Sequence, residues 1–379
     1  MSKVLIFTAS TGGGHNQAAS ALEKEFNHKG YETIKVDMLK ETSKMLDLLI
    51  ADGYKVLATK LPKIYGGLYK LSDSQRINNR ITKFFNKLAY TQISNIINSI
   101  NPDLIIGTHP FIVDVVGNLK AKSIINIPFI SIVTDYEAHQ TYVNTNVDAY
   151  ITGSEHTMKG LISKGILKSK IYPFGIPIRR EFLDKKSNYN DFYDRNFQVL
   201  VMGGSLGVKS MKKVLKSLNK CTHDLKIIVV CGKDEVLRKS LEKSFKNNIE
   251  GKEYIIYGFT KEVAKLMDSS DIIITKPGGL TVSESMVKSI PMVIPYLIPG
   301  QEEENAEFLV REGVAVKVDH IREIRYVIDN LINNPKKLDG MRREMKRITK
   351  KYSIDNIINL SENLINEYQY KWGMAYEQK

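Results

Sequence analysis

A histidine closes a run of glycines in Ser10-Thr11-Gly12-Gly13-Gly14-His15, directly after the apolar Val4-Leu5-Ile6-Phe7. A glycine turn that leads from a strand into a helix presents unpaired N–H groups and the positive end of the helix dipole, a setting that suits phosphate. An imidazole on such a turn can serve as a base or hydrogen-bond a bound anion. A second turn, Lys276-Pro277-Gly278-Gly279-Leu280-Thr281, follows Ile272-Ile273-Ile274-Thr275. A third, Met202-Gly203-Gly204-Ser205-Leu206-Gly207, follows Gln198-Val199-Leu200-Val201. Turns of one kind placed alike in two halves of the chain point to a nucleotide diphosphate held between two α/β domains.

The first turn is not a P-loop, because no Gly-Lys-Ser/Thr follows it. It is closer to a dinucleotide fingerprint, with Asp37 ending the second strand, but Gln17 stands where the third glycine belongs. Glu284 has two readings. Thr281-Val282-Ser283-Glu284 fits a capping box, and a carboxylate one turn into a phosphate-binding helix also suits the two hydroxyls of a ribose. Gln301-Glu302-Glu303-Glu304-Asn305, after a proline-punctuated loop, suits sugar hydroxyls; the acids alone would equally complement a helix dipole. Open α/β sheets bind ligands at the carboxyl ends of their strands. That rule adds His109, Asp135, Arg179 and Phe259, of which His109 and Asp135 could instead cap a helix or turn. His28, His156, His223 and His320 read as surface residues.

These side chains need strands to carry them. Apolar runs recur at Lys3–Ala9, Thr33–Asp37, Leu104–Thr108, Phe129–Thr134, Ala149–Thr152 and Ile171–Phe174. They resume at Val199–Met202, Lys226–Cys231, Tyr254–Tyr257, Ile272–Thr275, Met292–Pro295 and Ala315–Val318. Continuous apolar strands alternating with amphipathic stretches predict parallel sheets covered on both faces. The polar stretch Asp184–Asn196 reads as the linker. Domains are expected at 1–183 and 197–345, with a helical segment at 346–379; from Lys336 the apolar residues Met341, Met345, Ile348, Tyr352, Ile357, Leu360 and Leu364 recur at helical spacing.

The 379 residues carry a net charge of +13, which calls for an anionic partner. No nucleic-acid module signature accompanies the charge. No apolar stretch reaches the roughly 18–20 residues that span a bilayer. The chain opens on a core strand, so no signal peptide is expected. Cys221 and Cys231 form no zinc pattern and suit a reducing cytosol. Glu41–Asn98 has no strand pattern. Between Lys40 and Lys87 it holds ten basic and four acidic residues interleaved with aliphatic and aromatic ones. Such a segment is either an interfacial membrane surface or a helical insertion with a solvated basic face. Lys55, Lys60, Lys63, Tyr65, Tyr69 and Lys70 are its membrane-contact candidates.

In chain order, Gly-Gly-Gly-His, Thr-His-Pro, Val-Thr-Asp, Gly-Ile-Pro-Ile-Arg, Met-Gly-Gly, Cys-Gly-Lys, Thr-Lys-Pro-Gly-Gly-Leu-Thr-x-x-Glu and Ile-Pro-Gly-Gln-Glu-x-x-Asn resemble glycosyltransferase family 28. Within that family the sequence is similar to the diacylglycerol glycosyltransferases. The resemblance implies a GT-B fold, two Rossmann-like domains with parallel sheets facing a central cleft. It implies a UDP-sugar donor in the second domain, a diacylglycerol acceptor and an anionic membrane surface for the first, and no cofactor or essential metal. Carried over by motif, Gly203, Gly204, Ser205, Gly278, Gly279, Leu280 and Thr281 surround the diphosphate, and Arg179 assists. Glu284 takes the ribose, Phe259 lies in the uracil turn, and Gln301, Glu302 and Asn305 belong to the sugar-binding loop. His15 and Asp135 match the catalytic centre, with Gly13, Gly14 and His109 as acceptor or cleft candidates. Asn16 departs from the arginine common in plant relatives, which puts a plant-type anionic lipid activator in doubt.

The implied reaction is inverting transfer of a hexose to a lipid hydroxyl, with His15 or Asp135 as base. Val133–Asn144 has a bacterial look that favours glucose over galactose. The alternatives are an N-acetylglucosaminyl transferase acting on an undecaprenyl-linked peptidoglycan precursor, and a membrane-associated UDP-sugar sensor without turnover. The expected location is cytoplasmic, peripherally bound to the inner face of the cell membrane.

Overall fold

The computed structural model describes residues 1–10, 13–38, 90–184, 196–203, 207–245 and 251–377. They form two units. Unit 1 comprises Met1–Arg179, Ile298–Gln301 and Lys351–Lys379; unit 2 comprises Arg180–Leu297 and Glu302–Lys350.

Unit 1 is built on β1 (Lys3–Thr8), β2 (Glu32–Asp37), β3 (Leu104–Gly107), β4 (Phe129–Ile132), β5 (Ala149–Ile151) and β6 (Ile171–Tyr172). The sheet is parallel in the order β2-β1-β3-β4-β5-β6. β1, β3 and β4 are almost wholly buried because their residues are apolar on both faces. β2, at the edge, stays partly exposed. The register aligns Phe7 with Gly107 and Gly107 with Ser131. The turns after β1, β3 and β4 therefore open at one level on one edge. β1 and β3 flank the point where strand order reverses, the place where such sheets bind ligands.

Unit 2 contains β7 (Phe197–Met202), β8 (Leu225–Val230), β9 (Lys252–Tyr257), β10 (Ile272–Ile274), β11 (Met292–Ile294) and β12 (Ala315–Lys317). Their order, β12-β11-β10-β7-β8-β9, is that of a dinucleotide-binding domain, with its reversal between β7 and β10. Val199, Val201, Ile227, Val229, Ile272 and Ile274 form its core with Leu237, Ile328 and Met341. The glycine turns at Gly203 and Gly278 follow the two central strands. All twelve strand positions expected from the apolar runs are present, with ends shifted by a residue or two.

The chain passes between units at 179/180, 297/298, 301/302 and 350/351, where the sequence pattern places boundaries near 183 and 345. Arg180–Leu183 is a short helix that packs on Gly279–Val287, and Met341 and Met345 lie on a helix continuing to Thr349. The expected helical tail is two helices, Pro335–Thr349 in unit 2 and Ile354–Glu377 in unit 1. The second buries Ile354, Ile357, Ile358 and Ile365. The Tyr31 hydroxyl donates to Glu362 at 3.0 Å, and Tyr368 donates to Asp148 at 2.7 Å while accepting from Lys120 at 2.8 Å. Among the described residues, no helix is long and apolar enough to cross a membrane.

Candidate active site

In unit 1 the residue that precedes the first glycines is anchored by two side chains. Ser10 donates its backbone N–H to Asp37 at 3.3 Å and its hydroxyl to the same carboxylate, while accepting from Asn16 Nδ2 at 2.7 Å. Asp37 therefore binds the turn, which accounts for an acid at the end of β2 without a ribose. A Cβ on Gly14 would meet no atom within 4 Å, and one on Gly13 would only touch Gln17 at 3.4 Å.

His15, half-buried on the first turn of helix Gly13–His28, points back over the sheet. Its Nδ1 lies 2.7 Å from the Thr108 carbonyl and 3.0 Å from Thr134 Oγ1. A carbonyl can only accept, so Nδ1 carries the proton and the Nε2 lone pair is left as a base. Burial lowers the imidazole from 6.5 to about 4, against the opposing pull of the Thr108 carbonyl. The ring is neutral throughout the physiological range. His109 meets it edge to face with centroids 4.7 Å apart. His109 also caps helix Pro110–Ala121, its Nδ1 accepting from the Phe111 N–H at 3.2 Å. Burial, and secondarily the nearby His15, hold His109 well below its ordinary value. Beside them Thr134 Oγ1 lies 3.0 Å from the Tyr142 hydroxyl, which also hydrogen-bonds the buried Asp135. Arg179, half-buried, ends the Gly175-Ile176-Pro177-Ile178 segment.

In unit 2 the capping-box expectation fails. Helix Gly279–Val287 starts three residues early, capped by the extended Gly278 (φ −69°, ψ 135°) with no side-chain cap bond. Thr281 lies inside the helix, where its carbonyl accepts from Ser285 at 2.7 Å. Glu284 is buried in the second turn, too far along to serve the N-cap amide. Gly278 needs no special φ, and a Cβ there would meet nothing within 4 Å. Gly279 and Leu280 form the first turn of the helix. Lys276 pairs with Glu302 at 2.6 Å, and Asn305 Nδ2 donates to the Pro277 carbonyl at 3.1 Å. Helix Gln301–Arg311 thus holds the turn before Gly278 through its buried face. Phe259 is 63% exposed, with the Lys233 ammonium 5.9 Å from its ring centre.

Gly204, Ser205, Lys55, Lys60, Lys63, Tyr65, Tyr69 and Lys70 lie outside the described residues. Of the histidines expected at the surface, His28 and His320 are exposed; His156 pairs with Glu137 at 2.7 Å and His223 with Asp329 at 2.9 Å. Residue types alone did not single out Thr134, Tyr142 or Lys276. Thr134 and Lys276 stand in turns read for Asp135 and Gly278, and the His15 contact of Thr134 spans 119 residues, so no local pattern marks that contact.

A family model described as monogalactosyldiacylglycerol (MGDG) synthase matches residues 15–178. One described as glycosyltransferase family 28 C-terminal domain matches residues 198–357. A processive diacylglycerol beta-glucosyltransferase of Bacillus cereus is 31% identical over 373 residues, covering 95% of this chain and 94% of its own. The chain belongs to glycosyltransferase family 28. A Bacillus pumilus protein with the same description is 29% identical to this glycosyltransferase over 386 residues, covering 98% and 99% of the two chains. Among solved structures, Acinetobacter baumannii MurG aligns with a TM-score of 0.62 at 16% identity, covering 98% of this chain and 100% of its own. Staphylococcus aureus MnaA in complex with UDP aligns at 0.57 and 15%, covering 98% and 97%. The family 28 chain has the GT-B fold, with two parallel-sheet α/β domains.

Proposed function

We propose that this glycosyltransferase moves glucose from UDP-glucose to the hydroxyl of diacylglycerol, with inversion, at an anionic membrane surface. The observation that carries the chemistry is His15, whose Nδ1–H is fixed on the Thr108 carbonyl and whose Nε2 is left as acceptor. The names of the curated relatives support the acceptor and the sugar.

In this mechanism the lipid hydroxyl oxygen attacks the anomeric carbon from the face opposite the diphosphate. His15 Nε2 takes the hydroxyl proton as the new glycosidic bond forms. The bond from carbon to the β-phosphate oxygen breaks, and UDP leaves with the electron pair. The N–H groups of helix Gly279–Val287 stabilise the charge that develops on UDP. A glycine at Gly278, which neither φ nor packing requires, fits close approach of a phosphate to the backbone. Arg179 adds a cation, Glu284 accepts the ribose hydroxyls, and Phe259 stacks on uracil. Gln301, Glu302 and Asn305 form the sugar-binding loop. No cofactor or metal takes part. The basic segment between Lys40 and Lys87 docks on anionic lipid, and the protein works at the inner face of the cell membrane.

The test offers UDP-glucose, UDP-galactose and UDP-N-acetylglucosamine separately to the full chain with vesicles containing diacylglycerol, with chelator present, and resolves the lipids by thin-layer chromatography. A glycolipid formed from UDP-glucose is expected. A product from UDP-galactose alone would replace the sugar, and the absence of any product would point to a sensor.

A further inference from the structure

We infer that Tyr142 and Thr134 are positioning residues that connect the Asp135 carboxylate to His15, so that Asp135 acts through two hydroxyls and not as the base. The inference rests on His15 being the base, as proposed above.

The directions of the hydrogen bonds follow from counting protons. An ionised carboxylate only accepts, so Tyr142 donates its single hydroxyl proton to Asp135. Burial, reinforced by the charge of Asp135, keeps that phenol protonated. The Tyr142 oxygen must then accept from the Thr134 hydroxyl, 3.0 Å away. Thr134 has no second proton, so its Oγ1 accepts from His15 Nδ1–H at 3.0 Å. The chain of donors runs one way from imidazole to carboxylate. The Thr108 carbonyl independently demands the same tautomer. Two acceptors thus hold the Nδ1 proton and aim Nε2 away from the sheet.

The consequence appears when Nε2 takes the proton of the acceptor. The imidazolium charge polarises Thr134 and Tyr142 towards Asp135, and aligned hydrogen bonds strengthen one another away from water. Thr134 and Asp135 leave the end of β4, and Tyr142 sits in a one-turn helix, Gln140–Tyr142. His139 caps this turn, its Nδ1 accepting from the Thr141 N–H at 3.3 Å. Thr134, Asp135 and Tyr142 are each no more than 6% exposed, so water does not compete for the chain. Tyr142 and Thr134 are embedded in unit 1, and the Tyr142 hydroxyl also bonds the Thr134 backbone, which holds the end of β4 where the threonine hydroxyl meets His15.

The experiment measures kcat and KM of the full chain on UDP-glucose and diacylglycerol in mixed micelles. It compares Tyr142→Phe, Asp135→Asn, the double variant, Thr134→Val, Thr134→Ser and His15→Ala, with circular dichroism melts as a fold control. Tyr142→Phe and Asp135→Asn should each lower kcat roughly 10–100-fold, as expected for loss of a hydrogen bond to a charged group, with both KM values held. The double variant should be no slower than Asp135→Asn alone. Thr134→Val should match Tyr142→Phe, and Thr134→Ser should restore most of the rate. Multiplying effects in the double variant, or an unchanged kcat in Tyr142→Phe while His15→Ala is slow, would overturn the connection. Full turnover in His15→Ala would instead remove the base on which it rests.

Discussion

Acid should weaken unit 1 through His15, by an amount that can be worked out in advance. The folded imidazole titrates at about 4 against an ordinary 6.5. Between these limits the unfolded chain binds a proton that the folded chain does not. The stabilising contribution is therefore complete above about 6.5 and is lost as pH falls towards about 4. Between about pH 7 and about pH 5 the loss is about 1–2 kcal/mol from this one group, the lower figure reflecting the solvent that still reaches a half-buried ring. His109 shifts in the same direction, so the effect must be isolated by difference. His15→Asn keeps an amide donor for the Thr108 carbonyl and has nothing to protonate. Urea unfolding of both proteins, followed by circular dichroism at the two pH values, gives the comparison. The wild type should lose more stability than His15→Asn by the stated amount. Equal losses would show that His15 is not held neutral by its surroundings, and the case for a poised base would fall with it.

Three further outcomes are expected. Glu284→Gln should weaken UDP binding in calorimetry roughly 10–100-fold while shifting the melting temperature little; a lowered melting temperature with unchanged affinity would make Glu284 a structural residue only. Gly175→Ala should destabilise unit 1 by about 1–3 kcal/mol or more, because its φ of +90° suits only glycine and a Cβ there would come within 2.5 Å of the Tyr352 ring; an unchanged unfolding midpoint would contradict this packing. Replacing Lys55, Lys60, Lys63 and Lys70 by Gln should reduce sedimentation with anionic vesicles at low salt, each lysine contributing about 1 kcal/mol or less; equal sedimentation would place membrane contact elsewhere.

Much of the fold was legible because its signals are local. A run such as Ile272-Ile273-Ile274 can be buried on both faces only inside a parallel sheet, and the glycines after it mark the turn. The helix start at Gly278 was misplaced because Thr281 and Glu284 satisfy a capping rule that the backbone leaves unused. The extended Gly278 opens the helix earlier, and Glu284 is carried inward with its buried face. His109 shows the opposite case: a histidine that looks reactive also caps a helix. The link from His15 to Asp135 was illegible for a different reason. It depends on one threonine and one tyrosine brought in by β4 and the turn after it, and their sequence neighbours say nothing about the glycine turn 119 residues earlier. Likewise the pairing of Lys276 with Glu302 joins two turns that composition treats separately.

The helix Ile354–Glu377 belongs to the unit that the chain began with. During synthesis, unit 1 emerges first yet must wait for its last helix, while the residues of unit 2 from 180 to 350 are already complete. Vectorial synthesis usually favours the first domain to appear; here the second can finish folding ahead of it. Until then the surface of unit 1 that receives Ile357, Ile358 and Ile365 stays open, as do Tyr31 and the Lys120–Asp148 pair that later hold Glu362 and Tyr368. A nascent chain stalled before residue 354 would carry a finished unit 2 beside a first unit with uncovered apolar surface, which is the form most exposed to aggregation and proteolysis.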